Sequence, residues 1–191
     1  MIVKSLKIAA SILCAIALTV LTVAGLYFGI RNARAVVKLD DIILDSGTVT
    51  YLASVYNMSY EGEDFEADFK EEVKDLVAQA YLYSAHFGYT PEDKIAVIGM
   101  SESVLKEKAH GSVTEFNEMA EDHGFGFDYN DFQNANALKY KADKAKTLMA
   151  ERFGSEEYEK MLNEAKNRVD FNRFYNLIDL SEIAEHEYYV K

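Results

Sequence analysis

The sequence predicts a mainly all-α protein: an N-terminal transmembrane helix followed by a bundle of about five to seven amphipathic helices, with room for one short strand pair. Three observations predict it. An uncharged run extends from Ile8 to Ile30. From Asp64 onward, apolar residues recur at three- and four-residue steps, the period of a helix with one buried face. Between those stretches stand helix start and stop signals rather than the proline- and glycine-dense turns of an all-β module, and the whole chain holds only one proline, Pro91.

The N-terminal run is long enough to settle its own conformation. At about 1.5 Å per residue it spans roughly the 30 Å of a bilayer's hydrocarbon core, where every backbone polar group must be satisfied internally. Lys4 and Lys7 precede it and Arg31 and Arg34 follow, placing cations at both headgroup zones. A cleavable signal peptide has an apolar core of only roughly 7–15 residues. The small-residue triplet Ala33-Arg34-Ala35 therefore does not outweigh the length, and the reading is an uncleaved signal-anchor. The expected organisation is residues 1–35 as anchor with flanks, residues 36–62 as a juxtamembrane stalk, and residues 63–191 as the helical domain. Residues 6–30 are expected to lie in a plasma or bacterial inner membrane. The positive-inside count is nearly balanced across the span; the very short N-terminal tail places the domain on the periplasmic or extracellular side.

Charge bounds the partners. Residues 1–38 hold five of the 20 bases and none of the 32 acids. The remainder thus carries 15 bases against 32 acids, a net −17. Such a field repels phosphate backbones and excludes nucleic acid as a partner; it suits a basic protein. The only cysteine, Cys14, lies inside the apolar run, so the domain has no disulfide and no thiolate chemistry.

Each element has a local reason. Val36–Leu44 reads as a continuation of the first helix, ending near Asp45-Ser46-Gly47, and Thr48–Tyr56 is balanced between strand and helix. Phe65, Phe69, Val73, Leu76, Ala80, Tyr83 and Phe87 make one apolar stripe, which Gly88 closes. Thr90-Pro91-Glu92-Asp93 supplies a capping hydroxyl, proline at the first helical position and acids facing the dipole. The apolar stretch Ile95–Met100 continues that helix, with Gly99 as a point of breakage. Ser112 and Glu115 form a capping box for a short helix ending at Gly124. A long helix runs from about Tyr129 to Phe153 with Phe132, Ala135, Ala142, Ala145 and Met149 inward. After Gly154, Ser155 caps a helix facing inward through Tyr158, Met161, Leu162, Ala165 and Val169, and Asp170 and Asp179 cap short helices beyond.

No pattern of metal or cofactor chemistry stands out, and none is assigned. The four histidines form no H-E-x-x-H, and Glu182 with His186 is a single pair. Asp128-Tyr129-Asn130-Asp131 begins like a calcium loop but places Phe132 and Gln133 where a ligand and glycine belong, so Asp128 reads as a helix cap. Gly124-Phe125-Gly126 lacks the lysine or hydroxyl of a phosphate cradle.

Two functional readings emerge. Asp64, Asp68, Glu71 and Asp75 recur at i, i+4, i+7 and i+11, lining one helix face. Like charges at this spacing cost a few tenths of a kcal/mol each, and their natural use is to dock a protein partner with a basic surface. That makes the chain an envelope-assembly component, or an inhibitor or exclusion factor acting by binding. The alternative is enzymatic. Ile95–Met100 followed by Ser101-Glu102-Ser103 resembles the entry to the catalytic helix of lytic transglycosylases. That resemblance implies a membrane-anchored cell-wall glycosidase with Glu102 as general acid, its pKa raised by burial. The glycine- and glutamine-bearing segment that would come next is absent, and Ala109-His110-Gly111-Ser112 stands in its place.

Overall fold

Residues 35–45, expected as the start of a helical stalk, form a hairpin instead. Strand β1 (Ala35–Leu39) and strand β2 (Ile42–Asp45) are joined across Asp40-Asp41, with Asp40 in the left-handed region at φ 50°, a conformation that aspartate tolerates better than most residues. The computed structural model describes residues 35–185 except 123 and 125, so the expected membrane span over residues 6–30 lies outside them. Among the described residues no helix is long and apolar enough to cross a membrane.

A third strand, β3 (Asp170–Phe171), pairs antiparallel with the other edge of β1, placing Val37 opposite Phe171 and Lys38 opposite Asp170. The sheet order is β2-β1-β3. Asp170, expected as a helix cap, is thus a strand residue. Val36, Val37, Leu39, Ile42 and Leu44 are all buried in the main core. Residues 36–62 therefore belong to the same folded unit as the helices C-terminal to them and are not a connector. A short apolar run buried on both faces has no period that separates strand from helix, and the strand that completes this sheet arrives far along the chain.

Seven α-helices complete the described residues: α1 (Ser46–Asn57), α2 (Phe65–Phe87), α3 (Pro91–Ala109), α4 (Val113–Asp122), α5 (Tyr129–Phe153), α6 (Ser155–Lys166) and α7 (Leu180–Glu185). A 3₁₀ turn over Tyr175–Leu177 precedes the last. The protein is mainly helical with a small three-stranded sheet, rather than purely α. The long pair α2 and α5 packs along its length, α6 and α1 flank it, and α3 leans on α5.

The caps explain the boundaries. Asp64 Oδ1 accepts from Ala67 N at 3.1 Å and opens α2, whose expected stripe is buried from Phe65 to Tyr83. Thr90 and Asp93 form a reciprocal capping box at α3. That helix runs unbroken through Gly99, because its buried line, Val97, Ser101, Leu105 and Ala109, keeps a four-residue step on both sides of the glycine. Asp128 and Asp131 form the equivalent box at α5. Gly154, at φ 82°, ends α5 and also precedes α6. The expected cap Ser155 is instead the first helical residue, and no side chain caps that end.

Gly88 closes α2 at φ 78°, where a Cβ would meet nothing within 4 Å. The cost of a side chain there is purely conformational. Gly88→Ala should lower stability by about 1 kcal/mol, read as a lower urea midpoint with an unchanged m-value. A loss near zero would mean that the helix ends some other way.

The main core gathers the sheet, α1, α2, α5, α6 and Tyr175. A second, smaller cluster of Leu105, Ala109, Phe116, Tyr129 and Phe132 joins α3, α4 and the start of α5. Tyr51 of α1 touches this cluster edge-on through Phe132, with ring centroids 5.3 Å apart.

Candidate functional site

The described surface carries a cleft of mixed chemistry and a concentration of charge. The cleft lies between α1 and the segment leading into α7, with a volume of about 290 Å³, near the lower limit for a small-ligand site. Ser46, Thr50 and Ser54 line one wall; at i, i+4 and i+8 they stack on one face of α1. Leu177, Ile178, Asp179, Glu182 and Ile183 form the other wall, and Gly124 and Gly126 contribute from the loop between α4 and α5.

Local hydrogen bonds build the second wall. Asp179 Oδ1 accepts from Glu182 N at 3.0 Å and from Ser181 Oγ at 2.7 Å. The Glu182 N–H and then the serine hydroxyl hold this carboxyl below the usual carboxylate range. Asn57 Nδ2 donates to Ile183 O at 2.9 Å and ties α7 to the end of α1. The loop wall is held by rings, with Phe127 edge-on to Tyr51 at 5.1 Å between centroids.

The structure does not leave the expected acidic row idle. Asp64 caps α2. Asp68 Oδ2 accepts from Tyr60 Oη at 2.8 Å, and that bond adds to desolvation in pushing the Tyr60 phenol up to about 12. Glu71 pairs with Lys74; the lysine's hydrogen bond holds the Glu71 carboxyl below its ordinary value. Asp75 pairs with Lys166 of α6 at 2.7 Å. Glu71, Lys74 and Lys166 also line a polar depression together with Asn163, Asn167 and Val169. What the sequence row missed is its surroundings. Glu61, Glu63, Glu66 and Glu72 are exposed alongside Asp64, Asp68 and Glu71. Residues 61–72 thus present seven carboxylates against the single base Lys70, whose ammonium sits over the Phe171 ring at 5.0 Å.

Glu102 is exposed in the middle of α3. A general acid of that kind would be buried, and Glu102 is not. His86 stacks edge-on to Phe153 at 5.1 Å, and His110 ends α3 in a left-handed conformation at φ 49°. Among the described residues no group of three histidine, cysteine or acidic side chains is arranged to hold a metal ion. His186, four residues on from Glu182, lies outside them.

A further polar cluster went unread in the sequence. Asp93, only 7% exposed, accepts from Tyr83 Oη, Tyr140 Oη and Thr90 N, each at 2.9 Å. The capping signal around Thr90 was visible, but the two tyrosines belong to α2 and α5 and carry no local mark. The carboxylate is enclosed by its own donors and acts as a clip between three elements. No protein-family model matches the chain, and no curated protein or solved structure matches it either.

Proposed function

We propose that this chain is a single-pass membrane protein whose acidic, mainly helical domain binds a basic protein partner, as part of an envelope assembly or as an inhibitor or exclusion factor. The uncharged run from Ile8 to Ile30 between Lys4, Lys7 and Arg31, Arg34 supports the anchor. The domain then stands on the periplasmic or extracellular side of a plasma or bacterial inner membrane. The observation that carries the binding reading is the row of exposed carboxylates over residues 61–72. Acids in the first turn of α2 favour the helix dipole, but Glu71 and Glu72 lie beyond the reach of that effect. Glu71 is matched by Lys74, whereas the exposed carboxylates of Glu61, Glu63, Glu66 and Glu72 form no ion pair among the described residues and suit an opposite surface.

Crosslinking in the native membrane tests it, comparing wild type with a variant carrying Asp64→Asn, Asp68→Asn, Glu71→Gln and Asp75→Asn. Asparagine still caps a helix and still accepts from Tyr60, and the lost ion pairs are worth at most about 1 kcal/mol each. The expected result is a discrete crosslinked protein of basic pI that disappears in the variant. It should also weaken steeply between 0.1 and 1 M salt, as the Debye length falls from ~10 to ~3 Å. Equal crosslinking by the variant removes the acidic surface from the proposal. Release of the protein by carbonate removes the anchor.

A further inference from the structure

The opening turns of α1 and α5 meet with carboxyl groups on both sides. Asp45 caps α1, its Oδ1 accepting from Thr48 N at 3.0 Å. Asp128 caps α5, its Oδ1 accepting from Asn130 N at 2.7 Å and Asp131 N at 3.0 Å. Asp131 returns the bond, its Oδ2 accepting from Asp128 N at 2.9 Å. The same Asp131 carboxyl lies over the first turn of α1. It fits there because residue 47 is glycine: a Cβ at that position would overlap the carboxyl group itself. Asp131 thus sits on the same helix turn that Asp45 caps, with its carboxyl against Gly47 and the Asp45 carboxyl bonded to Thr48 N beside it.

An ionised carboxylate only accepts hydrogen bonds, so two carboxyl groups bond to each other only while one of them keeps a proton. The charged groups around the pair do not supply a substitute. Asp128 faces it from α5. The neighbouring cleft, which Ser46 also lines, adds Asp179 and Glu182 from the α7 side. Among the described residues no lysine, arginine or histidine forms an ion pair with Asp45 or Asp131.

We propose that Asp45 and Asp131 form a proton-operated clasp between α1 and α5, closed while they share one proton and loosened when it leaves. The contact supports a loop, and that loop is what the clasp controls. Residues 126–128 lead straight into the Asp131 turn, with Gly126 against Thr50 and Phe127 seated on Tyr51. This loop is also one side of the cleft. Loss of the proton sets like charges together beside this segment and loosens Gly126 and Phe127 from α1.

The surroundings set the pH range. Burial first, then the charges of Asp45 and Asp128, push the Asp131 carboxyl up to about 6 against an ordinary 3.8, partly offset by the Asp128 N–H. The folded form thus holds the proton more tightly than the unfolded chain. The clasp's contribution is complete below about pH 4 and is lost as the pH rises through about 6.

Carboxyl-carbon NMR titration of the full chain in detergent micelles tests this, with amide hydrogen exchange over residues 46–50 and 126–131 at pH 5 and 7.5. Asp131→Asn is the informative variant. Its side-chain oxygen still accepts from Asp128 N, and its NH₂ donates permanently to Asp45. In wild type, the pair should titrate with an apparent pKa near 6, and protection in the two segments, corrected for intrinsic exchange, should fall by about tenfold at the higher pH. Asp131→Asn should keep its protection at pH 7.5. Titration of both carboxyls below about 4.5, or an equal loss of protection in the variant, overturns the clasp. If the variant does not fold, the wild-type titration decides alone.

Discussion

Replacing Asp93 with alanine is expected to cost about 3–4 kcal/mol, a large share of the stability of a domain this size. The carboxylate accepts three hydrogen bonds, from Tyr83 of α2, Thr90 at the head of α3 and Tyr140 of α5. Alanine removes the acceptor and strands the buried Tyr83 hydroxyl, while the half-buried Tyr140 hydroxyl loses the same partner, and bonds to a charged group are worth about 1.5–3 kcal/mol. The capping box at α3 goes with it, at about 1 kcal/mol more, although the terms overlap and do not add fully. Asp93→Asn keeps an acceptor of the same shape and should cost roughly half as much. Equilibrium urea unfolding of the three proteins measures the differences. If alanine and asparagine cost the same small amount, the cluster does not bind the three elements together.

The same residue has a pH signature. Burial pushes the Asp93 carboxyl up, but the Thr90 N–H and the Tyr83 and Tyr140 hydroxyls outweigh it and leave the group below its ordinary value. Burial and the bond to Asp93 push the Tyr83 phenol up to about 12. A depressed carboxyl contributes stability above its unfolded pKa of about 3.9, and that contribution is lost as the pH falls through the lower folded value. Asp93→Ala should therefore unfold with a shallower acid limb than wild type. This runs opposite to the Asp131 effect, which is lost as the pH rises, so the two groups can be told apart in one pH series.

Phe69→Ala should cost about 4 kcal/mol. Phe69 is fully buried in the main core. Its ring stacks on Phe65 at 5.8 Å between centroids and meets Tyr56 of α1 at 5.6 Å. Removing it opens a cavity where α1 and α2 converge, and neither backbone can collapse into the gap without breaking its own helix. Phe65 sits at the rim, 9% exposed, with Tyr60 edge-on to it at 5.3 Å. Phe65→Ala should be visibly milder, because the rim can relax and water can enter. Differential scanning calorimetry and urea unfolding measure both variants. A larger loss at residue 65 than at residue 69 would contradict this description of the core.

The elements legible from the chain alone were those whose causes lie within a turn or two of themselves. Asp64 and Gly88 bound α2, Thr90-Pro91 opens α3, and Asp128 and Gly154 bound α5, because caps and helical periods act between neighbours in sequence. The net −17 of the chain after Lys38 is likewise a property of composition, while the anchor expected over residues 6–30 lies outside the described residues. Tertiary structure decided what depends on residues meeting from a distance. Val36–Leu44 became strands because Asp170 and Phe171 complete the sheet, a pairing that no local period announces. The acidic row of α2 kept its helical spacing, yet Tyr60, Lys74 and Lys166 determine what each carboxylate touches. Asp45 and Asp131 stand far apart in the sequence, with nothing local to link them. Only the packing of α1 on α5, with glycine at 47, sets them against each other, because the Coulomb energy of two carboxyls depends on their distance in space and not along the chain.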